Sequence, residues 1–166
     1  EQGAGLLSGY PDSHYVAAGA AIAPDAAKLY RDAQIIVQVK EPIGAELELQ
    51  RRDQMLFCFL HLAAYPELAD RYCGIGLTSV GFETVETDTG ILPLLAPMSD
   101  IAGRLASQIG TSLLQQPQGG KGLLLGGLPG AERGRVVIIC AVNACINAAA
   151  MAAAIVAEVV LFDLRR

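Results

Sequence analysis

The sequence has 166 residues, of which 52% are hydrophobic and 17% charged, and this composition excludes a disordered chain. Its formal net charge of −5, without a local cluster of lysine and arginine, argues against a nucleic-acid-binding protein. The four cysteines show no zinc-ligand spacing, so we expect no metal site and interpret them as buried thiols of a cytoplasmic protein: Cys58, Cys73, Cys140 and Cys145.

Short strands alternate with helices in the first half of the chain. In chain order the predicted elements are a short helix after Tyr10-Pro11 that ends at Gly19, a helix from Pro24-Asp25 to Arg31, a strand Ile35–Val39, a helix Glu46–Arg52, a strand Met55–Leu60, a helix Pro66–Arg71 and a strand Leu77–Phe82. Such alternation is typical of βαβ units and predicts a parallel sheet.

The composition changes after the turn Thr87-Asp88-Thr89-Gly90. The spacing of apolar residues predicts a helix over Ser99–Leu114, with Ser99 as its N-cap and Pro97 ahead of it. The last segment, Val136–Asp163, has the layout of the first β-α-β unit of a dinucleotide-binding domain.

Part of that last segment, the 27-residue stretch Val136–Phe162, is apolar enough to raise a second interpretation, a membrane-spanning helix. Against this, β-branched residues cluster at its two ends, in Val136–Ile139 and Val159–Val160, while alanines fill the middle. A strand, a helix and a strand explain that segregation, whereas a uniform membrane helix does not. We therefore expect no membrane association.

Five motifs together resemble the alanine dehydrogenase family, which also includes the pyridine nucleotide transhydrogenases. They occur in that family's order over nearly the whole chain, and their joint order is more specific than any one of them. The motifs are Gly3-Ala4-Gly5 with Ser8-Gly9 and Asp12; Val39-Lys40-Glu41-Pro42; Leu56-Phe57 with Leu60-His61-Leu62-Ala63-Ala64; Leu92 to Ser99 with Ile101-Ala102-Gly103-Arg104; and Leu124-Leu125-Gly126-Gly127 with Pro129-Gly130.

The resemblance implies an NAD-dependent enzyme that interconverts L-alanine with pyruvate and ammonia and that assembles as a homo-oligomer, a hexamer. It also implies roles for two residues that follow predicted parallel strands, where open α/β sheets place their ligands. Lys40 would bind the substrate carboxylate. His61 would transfer protons during catalysis, because histidine titrates near neutral pH. We expect both side chains to point into one cleft.

Two further residues are expected to contact the cofactor. By resemblance, Ser99 would touch NAD at a helix N-terminus, where free N–H groups attract anions. Asp163 follows the second strand of the predicted cofactor unit, where a carboxylate accepts hydrogen bonds from the adenosine ribose. Glu83 matches the family's Glu-Thr-Val stretch, but the sequence assigns it no chemical step.

The predicted fold is α/β: an incomplete parallel-sheet substrate domain, residues 1–93, followed by the opening of a Rossmann-type cofactor domain, residues 94–166. An arginine that the family uses for the substrate carboxylate would precede Glu1, and an acid near the substrate would follow Arg166. We therefore expect the chain to be a fragment of a larger enzyme.

The glycine fingerprint G-x-G-x-x-G of dinucleotide-binding loops is absent. Its three glycine positions hold Cys140, Val142 and Cys145, and Ala154 and Val156 occupy positions that are usually glycine in the family. Each fingerprint glycine has a steric role in the turn, so we expect NAD to bind weakly or not at all. Two alternatives remain open: a non-catalytic remnant that only folds or assembles, and a transhydrogenase-like domain that binds NAD without deaminating alanine.

Overall fold

The computed structural model describes residues 1–164 and divides into two compact units. The first unit is Glu1–Val85 and the second begins at Glu86. Both combine parallel strands with helices, so the predicted α/β fold is confirmed.

The first unit is built on a three-stranded parallel sheet. Its strands are β1 (Ile35–Val37), β2 (Met55–Cys58) and β3 (Thr78–Gly81), in the order β1-β2-β3. The register pairs Val37 with Phe57 and Phe57 with Val80, so all three strands end at the same edge of the sheet. The helices of this unit are α1 (Asp12–Ala17), α2 (Ala26–Asp32) and α3 (Pro66–Ile75), and 3₁₀ turns lie at Leu6–Ser8, Gly44–Glu48 and Phe82–Thr84.

The core of the first unit lies between the sheet and helices α2 and α3. It contains six buried side chains, Tyr30, Ile36, Leu56, Cys58, Leu60 and Tyr72. Gln54 is also buried, and its amide donates hydrogen bonds to the carbonyl oxygens of Tyr30 and, at 3.0 Å, Ala33. Because these carbonyls belong to the end of α2 and the loop after it, the bonds tie the helix to the start of β2.

The second unit contains the predicted strand, helix and strand. These are β4 (Arg135–Ile139), α5 (Asn143–Ala154) and β5 (Glu158–Phe162), and the two strands pair in parallel. A long helix, α4 (Ala96–Leu113), and a 3₁₀ turn (Gln116–Gln118) precede them. Within the described part of the chain, none of the helices combines the length and the hydropathy needed to cross a membrane.

Helices α4 and α5 pack closely because a glycine lies where they meet. Gly103 is buried, and a Cβ atom added to it would lie 2.1 Å from the carbonyl oxygen of Ala144. The Ser107 hydroxyl donates to the Ala148 carbonyl oxygen at 2.8 Å across the same interface. The Asn147 amide donates to the Asp100 carboxylate at 2.9 Å. The interface is therefore specific in both shape and polar pairing.

Several predicted helix bounds were wrong, and the helix predicted over Pro66–Arg71, for example, continues to Ile75. The segment predicted as a helix over Glu46–Arg52 is a 3₁₀ turn that ends at Glu48. Leu47 and Leu49 both pack against the core. An α-helix would place residues two positions apart on different faces, so it could not bury both side chains against the same core. Ser99 is not the N-cap of α4, because the helix already begins at Ala96 and includes Pro97 in its first turn, where the missing N–H costs nothing.

The cysteine prediction was correct only for Cys58, which is a buried free thiol. Burial raises the pKa of this thiol to about 12, so it remains protonated and unreactive at neutral pH. Cys73 is free but exposed. Cys140 and Cys145 form a disulfide, because the turn between β4 and α5 brings their Cα atoms to 6.2 Å.

Candidate active site

Lys40 and His61 both follow neighbouring strands at the carboxyl edge of the first sheet. Backbone pairing continues past the strand ends: the Gln38 N–H donates to the Phe57 carbonyl at 3.2 Å, and the Phe59 N–H donates to the Val39 carbonyl at 3.0 Å. Lys40 is therefore one residue beyond this pairing and His61 two. Lys40 is exposed, and its carbonyl accepts a hydrogen bond from the Gln38 side chain at 2.9 Å.

His61 lies in a turn just beyond β2, not in the core. The residue is exposed and its backbone is left-handed, with φ of 50°. Its carbonyl accepts a hydrogen bond from the Ala64 N–H at 2.8 Å, which closes the turn. Its imidazole stacks on the buried ring of Phe59, with the ring centroids 6.0 Å apart. The ring is thus both oriented by the protein and accessible to a small ligand.

Glu83 contacts the backbone of this turn. Its carboxylate accepts hydrogen bonds from the N–H groups of Leu60, at 3.1 Å and 3.2 Å, and of His61, at 2.8 Å. Burial by itself would raise the pKa of this carboxyl, but hydrogen bonds from its own N–H and from those of His61 and Leu60 outweigh it and lower the pKa. Glu83 is therefore ionised at neutral pH.

A cavity of about 530 Å³ adjoins the turn. It is lined by Leu60, His61, Leu62, Ala63, Ala64, Ser79, Gly81, Glu83 and Thr84. An exposed imidazole in its wall can exchange a proton with water or with a small bound molecule. Lys40 is not among the lining residues, so its convergence with His61 on one cleft stays a prediction.

The second unit has its own crevice at the carboxyl ends of β4 and β5. This cavity, of about 510 Å³, is lined by Ile139, Cys140, Val142, Phe162, Asp163 and Leu164. The Asp163 carboxylate accepts a hydrogen bond from the Ala141 N–H at 2.6 Å, in the loop that leads into α5. Dinucleotides bind at such a crevice in doubly wound folds, and a contact between Asp163 and a ribose stays a prediction.

The loop itself does not fit the pyrophosphate of a dinucleotide. Cys140 has φ of 131°, a conformation that favours glycine, and the side chain of Val142 projects at the start of α5 and lines the crevice. The disulfide between Cys140 and Cys145 closes the same loop. In dinucleotide-binding loops, glycines at these positions let phosphate oxygens approach the N–H groups of the helix N-terminus, and in this chain the positions carry side chains instead.

Ser99, the other predicted cofactor residue, is half-buried in the first turn of α4. Its N–H donates to the Leu95 carbonyl at 3.1 Å, so that donor is used within the helix. The next residue, Asp100, is bonded to Asn147 of α5. A contact between Ser99 and a cofactor stays a prediction.

Comparison with known proteins identifies relatives over 99% of the chain. Residues 1–102 match the family model for the alanine dehydrogenase/PNT N-terminal domain, and residues 106–166 match that for the C-terminal domain. Over 164 residues the chain is 46% identical to alanine dehydrogenases of Mycobacterium tuberculosis and Bacillus subtilis. That alignment covers 99% of this chain but 44% and 43% of those proteins, so the chain spans less than half the length of these relatives.

Solved structures give the same result. An L-alanine dehydrogenase superposes with a TM-score of 0.87 at 45% identity, over 99% of this chain and 45% of the other. A transhydrogenase from Sinorhizobium meliloti superposes with a TM-score of 0.76 at 24% identity, over 99% of this chain and 47% of the other. The second match shows a shared fold only.

Proposed function

The chain belongs to the alanine dehydrogenase/PNT family, and from that premise we propose that it carries the substrate side of an NAD-dependent alanine dehydrogenase. The reaction of such an enzyme is the reversible oxidative deamination of L-alanine to pyruvate and ammonia. The observation that carries the proposal is the edge of the first sheet, where Lys40 and His61 follow adjacent parallel strands and His61 lines a cavity.

In this proposal the two residues divide the chemistry of the substrate. The exposed ammonium of Lys40 would pair with the carboxylate of alanine or pyruvate, as charge complementarity favours. Deamination requires a group that takes a proton from the water that adds to the imino carbon and returns one to the departing amine. The accessible imidazole of His61 would do both.

The residues of the second unit support NAD binding less well than the residues of the first unit support substrate binding. Asp163 would suit a ribose, but Cys140, Val142 and Cys145 put side chains at the positions where a pyrophosphate-binding loop requires glycine. This mismatch favours the second candidate function, a non-catalytic member of the family that folds and assembles. Localisation in the cytoplasm and assembly as a homo-hexamer are also part of the proposal, and both rest only on the resemblance to the family.

Two chimeras with the Bacillus subtilis alanine dehydrogenase separate these functions, because that enzyme supplies the parts of the fold that this chain does not contain. The first chimera takes only the predicted substrate domain, residues 1–93, and keeps the host's cofactor loop. The second takes the whole chain. Activity is measured as oxidation of NADH in the presence of pyruvate and ammonia.

We expect the first chimera to be active and the second to be inactive. In the first chimera, replacing His61 by Ala should abolish turnover, and replacing the exposed His14, which is remote in sequence from the turn, by Ala should not. A folded first chimera without activity would rule out the substrate-side proposal. Activity of the second chimera would rule out the non-catalytic candidate.

A further inference from the structure

We infer that Glu83 is a positioning residue for His61: its carboxylate binds the backbone of the turn and holds the imidazole at the wall of the cavity. The link to proton transfer rests on the proposed function, whereas the positioning itself rests on contacts in the structure. Three observations support it: the hydrogen bonds of the carboxylate, the backbone conformation of His61 and the way in which the fold delivers Glu83 to this place.

The hydrogen bonds are directed at two successive N–H groups. One carboxylate oxygen of Glu83 accepts from both Leu60 and His61, and the other oxygen accepts from Leu60. Successive N–H groups that point at one anion form a binding concavity in many proteins. In this chain the anion is a side chain of the protein itself, 22 residues further along.

The conformation of His61 needs such support. A φ of 50° is uncommon for a residue other than glycine, and it directs the side chain differently from an extended backbone. Unusual backbone conformations persist where surrounding contacts impose them, and they cluster at functional sites. The carboxylate supplies that contact at the backbone N–H of His61, and the ring of Phe59 stacks on the imidazole.

The sheet delivers Glu83 to the turn. Cys58 at the end of β2 pairs with Gly81 at the end of β3, so the residues that follow the two strands are neighbours. The ring of Phe82 packs edge-on against the rings of Phe57 and Phe59, with centroid distances of 4.4 Å and 5.2 Å. This packing fixes the 3₁₀ turn that carries Glu83. A Cβ atom on Gly81 would lie 3.0 Å from a carboxylate oxygen of Glu83, so glycine leaves room for the carboxylate.

Glu83 is suited to position and not to transfer protons. Hydrogen bonds from three N–H groups lower the pKa of this carboxyl despite its burial, so it stays ionised and accepts hydrogen bonds throughout the neutral range. A proton-transferring carboxyl would instead require a raised pKa. The two residues thus have distinct tasks, the carboxylate holding the turn and the imidazole exchanging protons.

The test uses the full 166-residue chain labelled with ¹⁵N-histidine, which contains two histidines and so gives two backbone amide signals, from His14 and His61. Glu83→Met keeps the length of the side chain and removes the acceptors. Glu83→Gln keeps one acceptor without the charge. Glu86→Met, at an exposed position three residues later, is the matched control.

We expect amide hydrogen exchange at His61 to accelerate at least about tenfold in Glu83→Met, and less in Glu83→Gln, while exchange at His14 is unchanged in both variants and in Glu86→Met. In the original chain the His61 amide signal should also shift with pH as Glu83 protonates, with a midpoint below that of an ordinary glutamate. Glu83→Gln should lack this titration. If Glu83→Met does not fold, this comparison of the pH titration in the original chain and in Glu83→Gln decides whether Glu83 positions His61.

Two results would overturn the positioning role. One is unchanged amide exchange at His61 in the folded variants. The other is a shift of the His61 amide signal with the same low-pH midpoint in Glu83→Gln. The proposed function is tested separately by adding pyruvate to the same sample. A pyruvate-dependent shift at His61 supports the substrate site whatever the outcome for Glu83. If exchange responds to Glu83 but pyruvate has no effect, the positioning stands and the substrate assignment fails.

Discussion

Replacing Gly103 by Ala should destabilise the second unit by forcing α4 and α5 apart. The added Cβ would lie 2.1 Å from the Ala144 carbonyl oxygen and 2.8 Å from the Cβ of Asn147, whereas ordinary contacts begin near 3.4 Å. Both neighbours belong to α5, and a backbone carbonyl within a helix cannot rotate away. The helices must therefore separate by more than about 1 Å, since close-packed interiors have no spare volume to absorb the atom.

The cost follows from three terms. Overpacking of this kind costs about 1–3 kcal/mol. Separation also stretches the Ser107–Ala148 and Asn147–Asp100 hydrogen bonds, each of which contributes about 0.5–1.5 kcal/mol. Alanine returns about 1 kcal/mol through its better helix propensity. The free energy of unfolding should therefore fall by about 2 kcal/mol.

Gly110 provides a matched control on the same helix. It is exposed, and a Cβ atom there would have nothing within 4 Å, so Gly110→Ala should raise the free energy of unfolding by about 1 kcal/mol. Urea denaturation followed by circular dichroism measures both variants. If Gly103→Ala were as stable as Gly110→Ala, the close approach of the two helices would be refuted.

Three further predictions concern other parts of the chain. Val156→Gly should raise the free energy of unfolding in urea by about 0.5–1 kcal/mol, because a β-branched residue there has φ of 65°; a lower value would argue against strain. Because the pKa of Glu83 is lowered on folding, the contribution of this carboxylate to stability is complete above the ordinary pKa of 4.5 and is lost as the pH falls through the pKa of the folded protein. The difference between the urea midpoints at about pH 7 and about pH 4 should therefore be smaller in Glu83→Gln than in the original chain. An equal difference in the two proteins would contradict this. In the whole-chain chimera, replacing Cys140, Val142 and Cys145 together by glycine should tighten NADH binding, followed by fluorescence, at least about tenfold, or ~1.4 kcal/mol; no gain would show that the loop is not what limits binding.

Much of the architecture could be predicted from the sequence, because strand and helix periods are local properties. The βαβ alternation predicted the parallel sheet of the first unit, and the clustering of β-branched residues around an alanine-rich centre predicted β4, α5 and β5. The missing glycines were also informative, since Cys140 and Val156 do have positive φ in the structure. Errors arose where tertiary contacts override local preference, as at the turn where Leu47 and Leu49 both reach the core.

The sequence by itself determined the order of the elements, the family and the residues with suitable chemistry at the strand ends, because all of these depend on residue type and spacing along the chain. Only the tertiary structure decided which of those residues meet. Glu83 lies 22 positions from His61, and no local pattern links them; strand pairing between β2 and β3 brings the carboxylate to the turn. The Cys140–Cys145 disulfide likewise depends on the course of the backbone between β4 and α5. Such contacts depend on strand pairing and packing between elements that are distant in sequence, so they cannot be predicted from the spacing of residues along the chain.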